Sequence, residues 1–318
     1  MLRRLLRKFG KRSRVEQVLN TGEEDFLLVT WDSCRLDAFN KARKPALEPF
    51  GVARAGWAMG TYTLPAHIAM FQGFLPHVFL PEPLYNRYHQ QLWRISHRNL
   101  IVKPLISFPS RTRNIVVGFR DRGYFTVGTG AMDWFRDCPA LIEGFEKFWH
   151  SGTAARKQNE WLLNQLDRRA GGRPVFAFVN YGETHSPFHH EGLPGPVDAN
   201  PRFKRRHLYN QGGFLQDQWQ FDIEGFRRQM VCAEYLDART GELLDYFRRR
   251  GRPTTVVVCA DHGECFGENG LYGHAFYHDR VMEVPMLIFR VNATPHAAPI
   301  YTEFGLDQLQ EQAKAAAA

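Results

Sequence analysis

Residues 254–274 read TTVVVCADHGECFGENGLYGH, and this stretch decides the fold class of the chain. It begins with a short apolar run rich in valine, which is typical of a β-strand buried on both faces. Asp261 and His262 follow at once, and a glycine-rich turn then leads to His274. Carboxylate and imidazole groups together offer the oxygen and nitrogen ligands that suit zinc or manganese. The stretch therefore predicts a buried strand that ends in a metal site.

Other apolar runs have the same character as the strand at 254–260. They cover residues 25–31, 124–130, 174–181 and 284–290. Helical patterns lie between these runs, at residues 63–74, 113–122, 152–169 and 222–250. Apolar strands that alternate with helices predict an α/β fold, with a mostly parallel central sheet and helices on both faces.

The chain has 318 residues, which is long for one compact core and short for three. We divide it into a basic amphipathic segment at 1–20, a large α/β domain at 21–300 and a tail at 301–318. Within the domain, residues 75–112 show no clear helical or strand periodicity of apolar residues, and they are interpreted as an excursion from the core. Residues 186–220 are interpreted as a long loop or lid, because they are rich in proline, glycine and histidine.

The net charge of +8 is concentrated at the N-terminus. Residues 1–14 hold seven basic side chains and no acidic one, and subtracting these seven leaves +1 for the rest of the chain. A nearly neutral body does not indicate a nucleic-acid-binding protein. Leu2, Leu5, Leu6 and Phe9 would share one face of a helix. The segment is therefore either a disordered or packed helix, or a peripheral contact with an anionic membrane surface.

The N-terminus carries no recognisable secretory signal, because it lacks an apolar core and a small-residue cleavage site. No apolar run reaches the roughly 18 residues needed to span a bilayer. The five cysteines are odd in number and form no CxxC pair, which favours reduced thiols over disulfides or a zinc-thiolate site. We therefore expect a cytoplasmic protein, with peripheral membrane contact as an option. The sequence predicts no oligomeric state.

Two further polar residues lie where such a fold can use them. Asp32 ends the run LLVTWD, and Thr63 begins a helix that has Pro65 in its first turn. Ligands bind beyond the carboxyl ends of the strands in open α/β sheets, so both can converge with Asp261. Asp32 is either a metal ligand or a helix N-cap. Thr63 is either a nucleophile at the positive end of a helix dipole or an N-cap, with Thr61 as its nearest competitor.

The strand at 174–181 is followed by GETHSP, which supplies Glu183 and His185. Both side chains can bind a metal or contact a substrate anion. Histidines in such a position are more often simply hydrogen-bonded, so that alternative stays open.

The order of these motifs resembles the alkaline phosphatase/sulfatase superfamily. The segments that carry the resemblance are LLVTWDS, TLPAHIAMFQG, YGETHSPF, DHGECFGENGLYGH and VPMLIF, within residues 25–290. They are most similar to sulfatase-like hydrolases and to the soluble domains of phosphoethanolamine and lipoteichoic-acid transferases. The resemblance implies an alkaline phosphatase-like catalytic domain at 21–300.

The resemblance also implies a role for each candidate residue. The ligands of the principal divalent metal would be Asp32, Thr63, Asp261 and His262. Thr63 would in addition be the catalytic nucleophile. His185 and His274 would contact the substrate anion or bind a second metal, for which Glu183 is a further candidate ligand.

Three departures from the family pattern narrow the chemistry. Sulfatases carry a C/S-x-P-x-R motif whose first residue is oxidised to formylglycine, whereas Thr63 cannot be converted and His67 replaces the arginine. Ser33 follows Asp32 where sulfatases usually have a second aspartate. Tyr181 stands where phosphodiesterases of the superfamily often have a metal-binding aspartate. The resemblance therefore predicts one complete metal site and an incomplete second one.

These departures favour a metal-dependent hydrolase of phosphate-type esters, acting through a phosphorylated Thr63. The substrate would be a small-molecule or lipid-linked phosphomonoester, phosphodiester or phosphonate ester. The alternatives are a phosphotransferase of the phosphoethanolamine-transferase type, a sulfatase-like sulfoesterase, and a non-enzymatic metal-binding scaffold.

Overall fold

A computed structural model describes the greater part of the predicted α/β domain. The described residues are 24–72, 114–194 and 221–292, with two short strands at 93–95 and 106–108. The predicted segments 1–20 and 301–318 lie outside them, as do most of the excursion at 75–112 and the greater part of the loop at 186–220. The predicted domain limits and the membrane contact of residues 1–14 stay predictions.

The central sheet has seven strands. The strands within the described residues are β1 (Asp25–Trp31), β2 (Arg54–Trp57), β3 (Trp93–Ile95), β4 (Ile106–Phe108), β5 (Phe125–Gly130), β6 (Lys147–His150), β7 (Val175–Tyr181), β8 (Thr254–Cys259), β9 (Cys265–Phe266), β10 (Tyr272–Gly273) and β11 (Glu283–Val291). The sheet order is β2-β11-β8-β1-β7-β5-β6. Strands β8, β1, β7, β5 and β6 pair in parallel, whereas β11 runs antiparallel to both β8 and β2. The predicted, mostly parallel α/β sheet is confirmed.

Helices cover this sheet. They are α1 (Leu36–Lys41), α2 (Thr63–Gln72), α3 (Ile115–Asp121), α4 (Trp134–Asp137), α5 (Ala155–Arg169), α6 (Ile223–Arg250) and α7 (Asp279–Met282), with 3₁₀ turns at Glu48–Phe50, Pro139–Leu141 and Glu268–Gly270. Asp222 caps α6 by accepting a hydrogen bond from the Gly225 N–H. Gly251 ends the same helix in the left-handed region at a φ of 75°, where glycine is favoured. None of the described helices is both long and apolar enough to cross a bilayer.

The two faces of the sheet pack into different cores. Leu27 and Val29 of β1 point into one cluster with α5 and α6, while Phe176 and Phe178 of β7 point into the other with α2 and α3. This alternation explains why the strands are apolar throughout, since both faces are buried. All five cysteines are buried and form no disulfide.

The parallel strands β7, β1 and β8 bring the predicted motifs to one edge of the sheet. Thr30 pairs with Cys259, and Trp31 pairs with Tyr181. Asp32 directly follows β1, and Asp261 lies two positions beyond Cys259. The two aspartates therefore leave the sheet at the same level. Because α/β proteins bind ligands at the carboxyl edge of the sheet, a functional site is expected there.

Candidate active site

Three of the predicted metal ligands meet at the carboxyl edge of the sheet. Ligand atoms of Asp32, Asp261 and His262 lie within 4.8 Å of one another, and all three side chains are fully buried. His262 Nε2 lies 3.6 Å from Asp32 Oδ1 and 3.6 Å from Asp261 Oδ2. Adjacent parallel strands therefore assemble a compact Asp-Asp-His cluster from two distant parts of the chain.

Thr63 adjoins this cluster. It is the first residue of α2, and its hydroxyl donates a hydrogen bond to Asp32 Oδ2 at 3.2 Å. The positive end of the α2 dipole lies at the same place, which favours an anion there. The Thr61 hydroxyl is also buried, but it has no hydrogen-bond partner among the described residues. The geometry favours Thr63 over Thr61 as the candidate nucleophile.

The chemistry of the Asp-Asp-His cluster fits a divalent cation. Burial, together with the Asp32 carboxylate, raises the pKa of Asp261 well above its usual value. Burial also lowers the pKa of His262 to about 3, so its ring is neutral. Its Nδ1 donates to the Gly263 carbonyl at 2.9 Å, which leaves the Nε2 lone pair toward the carboxylates. Within the described chain, Asp261 Oδ2 and His262 Nε2 have no hydrogen-bond partner, as expected of atoms that bind a metal.

Asn180 orients the cluster, although the sequence analysis gave it no role. Its Nδ2 donates to Asp32 Oδ2 at 3.1 Å and to Thr30 Oγ1 at 3.2 Å. The backbone N–H of Ser33, a residue held at a φ of 60°, donates to Asp261 Oδ1 at 3.2 Å. The signal that could have identified Asn180 is a polar residue inside the otherwise apolar strand PVFAFVNY.

Replacement of Asn180 by alanine is expected to weaken metal binding by about 10- to 100-fold, because the carboxylate of Asp32 loses the donor that orients it. The measurement is the affinity for Zn²⁺ in competition with a chromophoric chelator. Asn114→Ala is the matched control. Asn114 is a buried asparagine that caps α3 through the N–H groups of Val116 and Val117. It should lower stability by about 1 kcal/mol and leave the metal affinity unchanged. An Asn180 variant with wild-type affinity would contradict this role.

Gln229 of α6 ties the loops of the site together. Its Nε2 donates to the Ser33 carbonyl at 2.9 Å and to the Thr184 carbonyl at 3.0 Å. Its Oε1 accepts from the Arg35 N–H at 3.3 Å. The loops after β1 and β7 are therefore held against one helix, and the side chains that they carry have fixed positions.

His185 and His274 lie beside the cluster, and their predicted contact with the substrate stays a prediction. The ring centroid of His274 lies 4.5 Å from that of His262 and 5.1 Å from that of His185. Burial is the main cause that lowers the pKa of His185. His274 also contacts Glu264, with 3.2 Å between Nδ1 and Oε1. The His274 ring thus contacts both other imidazoles, and His185 and His274 line the same cleft as Thr63.

A cleft opens onto these groups, and its volume is in the usual range for ligand sites. Its volume is 590 Å³, and its lining includes Tyr62, Thr63, Met132, Trp134, His185 and His274. A second cavity of 450 Å³ lies on the other side of His185 and is lined by Arg156, His190 and Tyr235. His185 and Thr153 line both spaces. The candidate nucleophile therefore faces an aromatic cleft, and a cavity with charged side chains in its lining lies next to it.

Glu183 lies apart from the Asp-Asp-His cluster. Its Oε1 accepts a hydrogen bond from the N–H of Ala155, the first residue of α5, at 2.7 Å. Burial raises the pKa of Glu183 to about 7. These are the contacts of a buried carboxyl group that caps a helix. The part of Glu183 in a second metal site stays a prediction.

His67, which replaces the arginine of the sulfatase motif, lies behind Thr63. Its Nδ1 donates to the Thr63 carbonyl at 2.9 Å and its Nε2 lies 3.1 Å from Thr30 Oγ1. Its ring packs edge-on against Phe135 and Phe178, and burial lowers its pKa to about 4. This residue is a neutral support of the α2 start, and it does not line the cleft.

Comparison with known proteins agrees with this architecture. The sequence model of the family described as Sulfatase matches residues 25–310. The chain belongs to the sulfatase family. A curated member, the choline-sulfatase of Rhizobium meliloti (strain 1021), is 33% identical over 91 residues, which is 26% of this chain and 17% of that protein. The match thus spans less than a fifth of the choline-sulfatase, and it does not assign the activity of that enzyme to this chain.

Solved structures with the same fold include two phosphoethanolamine transferase domains and one further periplasmic domain. The soluble domain of lipooligosaccharide phosphoethanolamine transferase A from Neisseria meningitidis has a TM-score of 0.56 at 16% identity, covering 86% of this chain and 78% of that one. The C-terminal periplasmic domain of EptC from Campylobacter jejuni has 0.55 at 13%, covering 85% and 80%. The periplasmic domain of EcEptC from Escherichia coli, solved in complex with zinc, has 0.53 at 12%, covering 85% and 73%.

At these identities the similarity concerns the fold, and it confirms the predicted alkaline phosphatase-like architecture of this sulfatase-family chain. Two of the three domains are periplasmic by description, so the comparisons give no support to the cytoplasmic location that we expected. The zinc in the Escherichia coli domain shows that a protein of this fold binds a divalent metal.

Proposed function

We propose that this protein is a metal-dependent hydrolase of phosphate-type esters with Thr63 as its nucleophile. The observation that carries the proposal is the Thr63 hydroxyl, which lies 3.2 Å from Asp32 Oδ2 at the start of α2 and lines the cleft. A threonine cannot be oxidised to formylglycine, so Thr63 cannot carry out the sulfatase reaction that depends on formylglycine. A hydroxyl nucleophile next to a buried metal site instead suits phosphoryl transfer.

The metal is proposed to be zinc or manganese, because the donor set mixes carboxylate oxygens with an imidazole nitrogen. Asp32, Asp261, His262 and Thr63 would hold it. Once bound, it would supply Lewis acidity and lower the pKa of the Thr63 hydroxyl. A second metal held by His185, His274 or Glu183 is a further option. The number of metal ions bound per chain tests it.

The proposed reaction has two steps. The Thr63 oxygen attacks phosphorus, a new P–O bond forms to Thr63, and the bond to the departing alcohol breaks. His185 and His274 line the cleft beside Thr63, where they can donate hydrogen bonds to the non-bridging oxygens or a proton to the departing oxygen. Water then attacks the phosphorylated Thr63, which releases phosphate and restores the hydroxyl.

A phosphotransferase is the second candidate, since it shares the first step and differs only in the acceptor. The described fold is shared with phosphoethanolamine transferase domains from Campylobacter jejuni and Neisseria meningitidis. In addition, the cleft walls of Tyr62 and Trp134 and the second cavity beyond His185 leave room for large substituents on the phosphoryl group. Such a space suits a lipid-linked phosphate ester better than a small phosphomonoester.

The test is turnover of 4-nitrophenyl phosphate, bis(4-nitrophenyl) phosphate, 4-nitrophenyl phenylphosphonate and 4-nitrophenyl sulfate after chelation and return of Zn²⁺ or Mn²⁺. We expect at least one phosphorus ester to be hydrolysed only after metal is returned, and the sulfate to be inert. Added alcohols that divert the product from phosphate to an alkyl phosphate would favour the transferase. Hydrolysis of the sulfate alone would favour a sulfoesterase, and metal binding without turnover would favour a scaffold.

A further inference from the structure

Glu264 is a buried acidic residue of the DHGE motif that has no part in the reaction described above. Its side chain is fully buried. Its N–H donates to the Arg280 carbonyl at 3.1 Å, and its carbonyl accepts from Arg35 Nη1 at 3.3 Å. Arg35 is in turn held by ion pairs with Asp37 and Glu268. The backbone of Glu264 is therefore fixed on both sides, and its carboxylate has a defined position.

That carboxylate contacts His274, with 3.2 Å between Oε1 and Nδ1. With Glu264 ionised, its carboxylate can only accept, and the hydrogen of this contact would then be on Nδ1 of the imidazole. The N–H of Ala275, the residue after His274, donates to the Thr61 carbonyl at 2.7 Å. This bond holds the loop that carries His274 close to the start of α2. The ring also lines the cleft together with Thr63. With Nδ1 on Glu264, Nε2 is the ring nitrogen left to face a substrate.

We infer that Glu264 is the positioning residue of His274, holding the ring by Nδ1–H so that every proton His274 gives or takes passes through Nε2. The inference rests on the proposed function. For the first step His274 would carry a hydrogen on each ring nitrogen. As Thr63 Oγ1 bonds to phosphorus its proton passes to solvent, the bond from phosphorus to the departing oxygen breaks, and that oxygen takes the proton from Nε2. In the second step water adds to phosphorus and returns one proton to Nε2, the departing Thr63 oxygen takes a proton back from solvent, and Nδ1–H stays on Glu264. Protons thus balance over one turnover.

The leaving group of the substrate separates this role from a purely structural one. Phenol needs a proton as it departs, whereas 4-nitrophenol is a far weaker base and departs without one. With phenyl phosphate, Glu264→Ala should lower kcat by about 10²-fold or more, the usual contribution of a positioned general acid. With 4-nitrophenyl phosphate, the loss should be a few-fold at most, and KM should change little for either ester. Glu264→Gln should lie between, because its amide oxygen still accepts from Nδ1.

Glu24→Gln is the matched control, since Glu24 is a buried glutamate beside Thr255 and Arg290 that precedes β1 and lies at the opposite edge of the sheet. It should leave both rates unchanged. In a His274→Gln background, Glu264→Ala should have no further effect on phenyl ester hydrolysis, because the two residues act as one unit. Equal losses on both esters, or loss of the bound metal together with activity, would assign Glu264 a structural role and overturn the inference.

A second measurement needs no turnover. In protein labelled with ¹⁵N-histidine, the signals of His274 are identified by their absence in His274→Gln. Nitrogen shifts should show a hydrogen on Nδ1 in the wild type and a changed tautomer distribution in Glu264→Ala. Unchanged His274 signals in Glu264→Ala would overturn the inference. If the tautomer is as expected but no phosphorus ester is hydrolysed, the proposed function fails while the contact that positions His274 stands.

Discussion

Replacement of Thr63 by alanine is expected to abolish turnover while the metal stays bound. The change removes the γ-methyl group and the hydroxyl, and the hydroxyl is the group that would form the covalent bond to phosphorus. Loss of a nucleophile typically lowers kcat by roughly 10⁴-fold or more. Asp32, Asp261 and His262 remain as ligands, and their atoms lie within 4.8 Å of one another without any contribution from Thr63. The measurements are kcat with the best phosphorus ester and metal content by elemental analysis.

Thr61→Ala is the control for this prediction, because Thr61 is a buried threonine only two residues earlier in the chain. Its backbone contact with the His274 loop does not depend on the side chain, so turnover should persist. Thr63→Ser should retain measurable activity, since it keeps a hydroxyl at the start of α2. Acid-quenched wild-type protein should yield a phosphorylated peptide that contains Thr63. Wild-type rates in Thr63→Ala would place the nucleophile elsewhere, with Thr61 first in line.

The fold was predictable where burial leaves a strong pattern in the sequence. Strands β1, β7 and β8 are buried along nearly their whole length, and all three were identified as apolar runs. Strands β2 and β6 were missed, because each has only four residues and most of them are exposed or half-buried. The antiparallel direction of β11 was also not foreseen, since hydrophobicity is the same for either direction of a buried strand.

The site was predictable only in part, for a related reason. Asp32 and Asp261 were found because each lies within two residues of the end of a buried strand, and the edge of a parallel sheet brings such residues together. The residues that orient them were not found. Asn180 contacts Asp32 across 148 residues of chain, and no local pattern reports a contact of that kind. The role of Glu264 likewise depends on where the turn after β8 places His274.

Asp261→Asn is expected to remove the stability that the metal adds to the folded protein. Any ligand that binds only the folded state stabilises it, by about 2.7 kcal/mol when free metal is 100-fold above its dissociation constant. Without Asp261 the cluster loses one of its two carboxylates, and metal affinity should fall below the range used in the assay. The melting temperature of the wild type should therefore rise when Zn²⁺ is added, whereas that of Asp261→Asn should stay constant.

The same substitution should act in the opposite direction when metal is absent. Burial and the Asp32 carboxylate raise the pKa of Asp261 well above its usual value, so the ionised form is unfavourable in the folded state. An asparagine oxygen can still accept from the N–H groups of Ser33 and His262, as Asp261 Oδ1 does at 3.2 Å and 3.0 Å. In chelator at neutral pH, Asp261→Asn should therefore be at least as stable as the wild type toward urea.

This crossing of stabilities distinguishes a metal ligand from an ordinary buried aspartate. Asp237 is the matched control, because it is equally buried and accepts from the N–H groups of Ala46 and Leu47 at 2.9 Å and 3.1 Å. Asp237→Asn loses one of these acceptors, so it should lower stability by about 1 kcal/mol both with and without metal. Its gain on addition of Zn²⁺ should equal that of the wild type. If Asp261→Asn behaves in the same way and keeps its metal stoichiometry, the Asp-Asp-His cluster is not the metal site.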